Sequence, residues 1–261
     1  MDKILSVKNL TVRFGGLYAC RDIAFSIERG SVFALIGPNG AGKTSLVNAL
    51  TGVYRTENGA TAVYRDRNGK QHELIGRRPD QIVRLGVVRS FQNLGLFRHM
   101  TTVDNLLLGR YVHQRTGMVA AALRLPRVVR EEIRQRAVID EIIDLLRVRE
   151  YRDEPVGSLP YGVQKRIELG RLLAMEPDLL LLDEPMAGMT IDEKKEMLTF
   201  VLRARRLLDM TIMLIEHDMP VVMSVADHVL AVSSGEWLAE GTPSQIQSNK
   251  AVIEAYLGTD S

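Results

Sequence analysis

The sequence is poor in cysteine and aromatic residues, and it contains no long apolar run. Cys20 is the only cysteine among 261 residues, so an internal disulfide is excluded and a reducing compartment is favoured. We expect Cys20 to be a small buried apolar residue. A membrane-spanning helix needs roughly 18 to 20 apolar residues. The longest candidates, residues 179–182 and 211–215, have only the length of buried strands.

The sequence also lacks a strong charge imbalance and a recognisable targeting segment. Its 34 Lys and Arg residues nearly balance its 32 Asp and Glu residues, which leaves a net charge of +2. Nothing in this balance indicates a nucleic-acid partner. Residues 1–5 do not follow the charged-then-apolar pattern of a signal peptide. We therefore expect a cytoplasmic protein with no nucleic-acid partner, and any role at a membrane requires partner subunits.

Alternating strand and helix patterns predict an α/β fold with a mainly parallel sheet. Residues 4–7, 10–14 and 23–27 have strand patterns, and residues 32–36 form a continuous apolar run typical of a buried parallel strand. Helical spacing dominates residues 103–148, with Thr102 or Asp104 as the predicted cap. Further strands at 179–182 and 211–215 enclose a helix at 192–208. Thr242, Pro243 and Gln245 predict a capped helix near the end.

A glycine-rich loop follows the apolar run at 32–36 and opens a helix. It reads Gly37, Pro38, Asn39, Gly40, Ala41, Gly42, Lys43, Thr44, and we call it the phosphate loop. Glycines allow successive backbone amides to face one anion, and the helix N-terminus adds partial positive charge. Lys43 is expected to reach the β- and γ-phosphates of a nucleotide, and the Thr44 hydroxyl to hold Mg²⁺.

Two adjacent acids, Asp183 and Glu184, end the predicted strand at 179–182. Ligands in open α/β sheets bind at the carboxyl ends of strands, so this is the edge where a nucleotide is expected. We expect Asp183 to bind Mg²⁺ directly or through water. Glu184 is the candidate general base, or the group that positions the attacking water.

Together with four further motifs, these features resemble the ABC-type ATPases over nearly the whole chain. Gln92 stands at the place of that family's Q-loop glutamine, and His217 at the place of its switch histidine. Phe14 matches the aromatic residue that stacks on adenine. The segment Leu-Pro-Tyr-Gly-Val-Gln-Lys-Arg at 159–166 stands where the family has its Leu-Ser-Gly-Gly-Gln signature.

The resemblance implies a P-loop NTPase (RecA-like) core with antiparallel strands near the N-terminus and an inserted helical subdomain. It implies one ABC ATP-binding domain over residues 4–255, with the core at about 4–92 and 172–240. The helical subdomain is expected at about 93–171 and C-terminal helices at about 243–258. ATP and Mg²⁺ are the implied cofactors, with Thr44, Gln92 and Asp183 near the metal.

Catalysis in this family requires two chains, and the resemblance implies the same here. Two copies close head to tail, so that each ATP lies between one chain's phosphate loop and the other's signature, here represented by Gly162. Glu184, Gln92 and His217 are the implied catalytic residues, with Gln92 sensing metal and water and His217 contacting the γ-phosphate.

Two departures from the family pattern are present. Pro160 and Tyr161 replace the serine and first glycine of the signature, so its usual hydroxyl is missing, although Gly162 and a helix N-terminus can still bind phosphate. The segment 185–190 lacks the family's usual Ser-Ala-Leu-Asp D-loop. These departures, and the sequence Glu-Ala-Tyr-Leu-Gly at 254–258, resemble the ATP-binding subunits of branched-chain amino-acid importers.

That resemblance implies a set of partners. They are a second ATPase subunit (an identical chain or a paralogue), two membrane permease subunits and an extracytoplasmic substrate-binding protein. The chain is then expected to lie at the inner face of the cell membrane, held there by the permease. Import of branched-chain or related amino acids is the predicted function, and urea, amides, aromatic acids or lipid stay open as cargo.

Two other classes of function are weighed against transport. A soluble ABC-type ATPase of translation or DNA repair usually has two cassettes, long coiled coils or zinc-binding cysteines, and none of these is seen in the sequence. A P-loop kinase does not account for Gln92, His217 and the signature region. For the basic stretch at 110–136, contact with permease and anionic lipid and a solvated helical hairpin are equally favoured.

Overall fold

The computed structural model describes residues 2–90, 95–113 and 126–257, except the side chains of 126–132 and 257. Gln92 and most of the basic stretch therefore lie outside the described residues or side chains.

The described residues form ten strands. They are β1 (Lys3–Phe14), β2 (Leu17–Glu28), β3 (Val32–Ile36), β4 (Thr61–Arg65), β5 (Gln71–Glu73), β6 (Val87–Arg89), β7 (Leu179–Asp183), β8 (Thr211–Ile215), β9 (His228–Ser233) and β10 (Glu236–Gly241).

The described α-helices follow the same chain order. They are α1 (Lys43–Leu50), α2 (Pro79–Arg84), α3 (Thr102–Arg110), α4 (Pro126–Leu145), α5 (Tyr161–Leu173), α6 (Ile191–Leu208), α7 (Met219–Val225), α8 (Pro243–Gln247) and α9 (Lys250–Leu257).

The strands form two sheets. One is antiparallel, in the order β2-β1-β4-β5, and the other has six strands in the order β10-β9-β3-β8-β7-β6. In the second sheet all neighbouring pairs are parallel except β10 with β9. The predicted α/β fold, with a mainly parallel sheet and antiparallel strands near the N-terminus, is confirmed.

Strand β3 is buried on both faces, which explains its continuous apolar sequence. Phe33 and Leu35 belong to a core cluster that also contains β1, β2 and α1 residues, whereas Ala34 and Ile36 pack with residues of α7, β9 and α9. Successive side chains of a strand point to opposite faces, so a strand between two apolar layers has no polar position. Cys20 is buried in the first cluster, as expected.

The described chain separates into two compact units. One comprises Met1–Arg89, Asp178–Pro185 and Asp209–Ser261, and holds both sheets; the other comprises Ser90–Pro177 and Met186–Leu208, and its described elements are helical. The sequence-based domain boundaries stay a prediction. In the described part of the chain, no helix combines the length and apolar character needed to cross a bilayer.

The observed cap of α3 differs from the predicted one, whereas the observed cap of α8 agrees with the prediction. The cap of α3 is Thr101, whose hydroxyl accepts a hydrogen bond from the Asp104 amide at 3.2 Å, and not Thr102 or Asp104. Thr102 is already inside the helix and fully buried. The predicted cap of α8 is confirmed. The Thr242 hydroxyl accepts a hydrogen bond from the backbone N–H of Gln245, and the side-chain oxygen of Gln245 accepts one from the backbone N–H of Thr242.

Candidate nucleotide-binding site

The phosphate loop connects the carboxyl end of β3 to the first turn of α1. The helix is preceded by Gly42, which has φ of +95° and offers no side-chain cap to the first amides of α1. Uncapped amides at a helix N-terminus carry partial positive charge and are suited to an anion. The structure thus has the strand, loop and helix arrangement that the sequence predicted.

Two glycines of this loop are required by close approach of neighbouring backbone. A Cβ atom at Gly37 would lie 2.3 Å from the Val232 carbonyl oxygen, and one at Gly42 would lie 2.2 Å from the Ala19 carbonyl oxygen. Real side chains essentially never come this close to backbone, so any larger residue would displace the loop. The shape of the loop is therefore fixed mainly by backbone packing.

Lys43 is buried within the loop that it is expected to serve. Its ammonium donates to the Gly37 carbonyl at 2.6 Å and to the Pro38 carbonyl at 3.0 Å. Burial lowers the pKa of Lys43, and the nearby carboxylates of Glu184, Asp183 and Glu216 act in the opposite direction. The ammonium thus lies within electrostatic range of both members of the acid pair.

Strand register places Asp183 and Glu184 at the edge of the sheet that also carries the phosphate loop. Asp183 at the end of β7 pairs with Ile215 of β8, and Ile215 pairs with Leu35 of β3. The carboxyl ends of β3, β7 and β8 therefore meet at one edge of the sheet, where parallel sheets bind ligands. Asp183 is buried, with only 2% of its surface exposed.

Glu184 has an unusual backbone conformation for a residue other than glycine. Its φ is +48°, and its amide donates to the Ile215 carbonyl at 2.9 Å. Left-handed conformations of this kind cost free energy and recur at functional sites. The Glu184 carboxylate lies 3.6 Å from Nδ1 of His217, and both side chains are partly exposed.

Phe14 lies in the same unit, at the end of β1. Its ring is half exposed and meets the Tyr54 ring edge to face, with 5.1 Å between ring centres. A half-exposed aromatic ring presents a face on which a planar base can stack.

The signature segment lies in the other unit, at the start of α5. Pro160 is the N-cap of this helix, and Gly162 is buried. A Cβ atom at Gly162 would lie 2.4 Å from a carboxylate oxygen of Glu193. The Tyr161 hydroxyl donates to the Ala187 carbonyl at 3.1 Å, so the two segments that depart from the family pattern contact each other.

The structure also reveals residues that the sequence did not indicate. Arg89, the last residue of β6, donates to the Asp183 carboxylate at 2.7 Å. Glu216, next to His217, is buried near Lys43. In α9, burial raises the pKa of Tyr256 to about 12, against the effect of a hydrogen bond with the Gly37 backbone. Of these residues only Tyr256 lies in a segment that the sequence singled out, the family-like pattern at 254–258.

Both readings of the basic stretch, contact with permease and lipid or a solvated hairpin, require an exposed first residue, and Arg110 fits neither. Arg110 is buried and donates to the Ala174 carbonyl at 2.8 Å, and it pairs with Glu176 at 2.9 Å. Arg110 therefore connects α3 to residues 174–176 within the helical unit, while Arg134 and Arg136 are exposed.

Two protein families match parts of this sequence. The family described as "ABC transporter" matches residues 20–187, and the one described as "Branched-chain amino acid ATP-binding cassette transporter" matches residues 238–261, which include Tyr256.

Two curated relatives have similar length and the same kind of name. The high-affinity branched-chain amino acid transport ATP-binding protein BraF of Pseudomonas aeruginosa is 39% identical over 255 residues, 98% of each chain. The protein LivG of Escherichia coli K12, with the same description, is 42% identical over 258 residues, again 98% of each chain.

A solved structure with the same fold is the ADP conformation of MJ1267, an ATP-binding cassette of an ABC transporter. It superposes with a TM-score of 0.83 at 26% identity, covering 99% of this chain and all of that one (100%). The chain therefore belongs to the family of ABC transporter ATP-binding proteins.

Proposed function

We propose that this chain binds ATP with Mg²⁺ at the phosphate loop and hydrolyses it to energise an importer of branched-chain or related amino acids. The observation that carries the proposal is the position of Lys43, held in a glycine-shaped loop within electrostatic range of Asp183 and Glu184. Its ammonium donates to the Gly37 and Pro38 carbonyls, and a phosphate group held by the loop would offer it an anionic acceptor.

The residues of the acid pair have separate roles in this proposal. Asp183 and the Thr44 hydroxyl hold the metal, and Glu184 orients the attacking water or accepts its proton. His217, 3.6 Å from Glu184, contacts the γ-phosphate. Phe14 stacks on adenine. Gln92 is proposed to sense metal and water from its place after β6.

The available donors suit Mg²⁺. Magnesium prefers oxygen ligands and is usually held by one or two carboxylates together with substrate phosphates, and it keeps several waters. A hydroxyl and one buried carboxylate match that pattern. Among the described residues, no group of three His, Cys, Asp or Glu side chains could enclose a metal alone. When bound, the metal neutralises charge on the phosphate oxygens.

Hydrolysis in this proposal requires a second copy of the chain or a paralogue. Gly162 and the N-terminus of α5 from that second chain complete the phosphate site. Two permease subunits and an extracytoplasmic binding protein complete the transporter. The chain then lies at the inner face of the membrane, attached through the permease.

The cargo is proposed from the relatives alone. BraF and LivG are named for branched-chain amino acid transport, and the C-terminal family description carries the same words. No residue described above is proposed to contact cargo, since the permease and binding protein do so.

Deletion of the gene in its own cell, with complementation, tests the function. Uptake of labelled leucine, isoleucine and valine is expected to fall and to be restored by the wild-type chain but not by Glu184→Gln. If leucine uptake is unchanged while transport of urea, of an aromatic acid or of lipid is lost, the proposed cargo is wrong. If all uptake is unchanged and the chain fractionates with ribosomes or DNA, the transport proposal is wrong.

A further inference from the structure

Arg89 connects the metal-binding carboxylate to the helix that follows the phosphate loop. One guanidinium nitrogen, Nη2, donates to Oδ2 of Asp183 at 2.7 Å. A second nitrogen, Nη1, donates to the side-chain oxygen of Asn48 in α1. It also lies 3.4 Å from the hydroxyl of Thr51, the residue that caps the end of α1. A single rigid group thus bridges β7 and α1, the two elements that carry Asp183 and Lys43.

The topology of the sheet makes this bridge possible. Arg89 pairs with Leu181 in the parallel β6–β7 ladder, and Asp183 lies two residues further along β7, on the same face. The Arg89 side chain extends along that face to the carboxyl edge. Its side chain is 10% exposed and that of Asp183 is 1% exposed.

Burial makes the contact directional. A buried carboxylate and guanidinium attract each other strongly and exchange little with water, so the Asp183 carboxylate has a fixed orientation. Oδ2 is engaged by Arg89, which sets the direction of Oδ1. A lysine at this position would supply the charge but not the planar fork that reaches Asp183 and Asn48 together.

We propose that Arg89 is a positioning residue for the metal: it orients Asp183 for Mg²⁺ and couples that orientation to α1. This inference rests on the proposed function, in which Asp183 holds the metal. In this role Arg89 acts through Asp183 and not by direct contact with nucleotide or metal. Groups that hydrogen-bond to metal ligands typically change metal affinity by about 10- to 100-fold when they are removed.

The test measures metal and nucleotide binding separately, without hydrolysis. Binding of a fluorescent ADP analogue is measured in EDTA, and Mn²⁺ affinity is measured by electron paramagnetic resonance with saturating ADP. For Arg89→Met and Arg89→Lys we expect unchanged nucleotide binding in EDTA and Mn²⁺ affinity reduced by about 10-fold or more. Melting temperatures show whether each variant is folded.

A second variant separates position from charge. Asn48→Ala keeps every charge but removes one anchor of the guanidinium, and we expect Mn²⁺ affinity to fall in the same direction by a smaller factor. The matched control is Arg67→Met, because Arg67 pairs with Asp178, another buried aspartate, at the opposite end of β7. This control is expected to keep the wild-type Mn²⁺ affinity.

The outcomes distinguish this inference from the proposed function. If the wild-type chain binds nucleotide and Mn²⁺, and folded Arg89→Lys and Asn48→Ala bind Mn²⁺ equally well, the positioning role is refuted while the function stands. A change in Arg67→Met as large as that in Arg89→Met would also refute it. If the wild-type chain binds neither ligand, the proposed function fails first.

Discussion

The two segments proposed to enclose ATP, the phosphate loop and the signature, are shaped by different kinds of contact. The phosphate loop is fixed by backbone packing, with glycines at 37 and 42 placed where a Cβ would meet a carbonyl oxygen. The signature is instead fixed by side chains, since the Tyr161 hydroxyl reaches the Ala187 carbonyl and Glu193 lies against Gly162. A loop shaped by close backbone contacts accepts few substitutions at its glycines. Where side chains make the contacts, two touching residues can be replaced together and the contact kept.

The contact between Tyr161 and residues 187–188 joins the two segments that depart from the family pattern. A Cβ at Gly188 would lie 3.3 Å from the Tyr161 ring, so a small residue at 188 accommodates the large residue at 161. The carboxylate of Glu193 is itself held by the amide and hydroxyl of Thr190, at 2.8 and 2.9 Å. The altered signature is thus held by packed side chains, and we expect substitutions in it to have smaller effects than substitutions on the phosphate-loop side.

The largest effect is expected on the phosphate-loop side, at Glu184. In Glu184→Gln, ATP binding should persist while hydrolysis falls by about 10²- to 10⁴-fold, because the variant lacks a group that accepts a proton from water. Steady-state phosphate release and equilibrium ATP binding measure the two effects. Glu236→Gln, an exposed acid in the same unit, is the control. Equal hydrolysis in Glu184→Gln and wild type would show that another residue activates the water.

A smaller effect is expected at Gly162. Gly162→Asp places a carboxylate beside Glu193 and beside the proposed phosphate, so ATP-dependent dimer closure and hydrolysis should fall by at least about tenfold. Analytical ultracentrifugation with ATP measures closure, in the Glu184→Gln background.

Gly162→Asp changes both the packing and the charge next to Glu193, so a second set of variants tests the packing alone. Gly162→Ala alone forces Glu193 to move, and the pair Gly162→Ala with Glu193→Ala removes that clash. In the same Glu184→Gln background, the double variant should close nearly as well as the parent that retains Gly162 and Glu193. If Gly162→Asp also closes normally, the altered signature does not contact nucleotide.

The smallest effect is expected at Tyr161. Tyr161→Phe keeps the ring against Gly188 but loses the hydrogen bond to Ala187, worth about 1 kcal/mol or roughly a fivefold change in an equilibrium constant. We expect ATP-dependent closure to weaken by about that factor, measured as above. Tyr111→Phe, at an exposed tyrosine, is the control. An unchanged closure constant would mean that this contact does not support the signature.

The strand, loop and helix around the phosphate loop could be predicted because their sequence signals are local. Residues 32–44 carry strand, loop and helix start in one continuous segment, and Asp183 and Glu184 end a strand whose residues are all apolar. Register then brings Asp183 and Leu35 to the same edge through Ile215. His217 was identified by its place in the family pattern, because a lone histidine after a strand is more often structural.

Other features depend on contacts between distant residues and carry no local signal. The bond from Arg89 to Asp183 requires that β6 neighbours β7, which only the sheet order reveals. Strands β4, β5, β9 and β10 were not predicted, because they are short or interrupted by polar residues such as His228 and Glu240. Those two side chains form a hydrogen bond of 3.0 Å across the β9–β10 ladder, at the edge of the sheet.

Equilibrium binding of Mg²⁺-ATP to Lys43→Ala, in the Glu184→Gln background where hydrolysis is slow, tests whether residues 37–44 hold the triphosphate. Loss of a charged hydrogen-bond donor costs about 1.5 to 3 kcal/mol, so the account predicts binding weaker by about 10- to 100-fold. Lys8→Ala, at an exposed lysine of β1, should bind as the parent does. Unchanged ATP binding by Lys43→Ala would contradict the assignment of residues 37–44 as the site that holds the triphosphate.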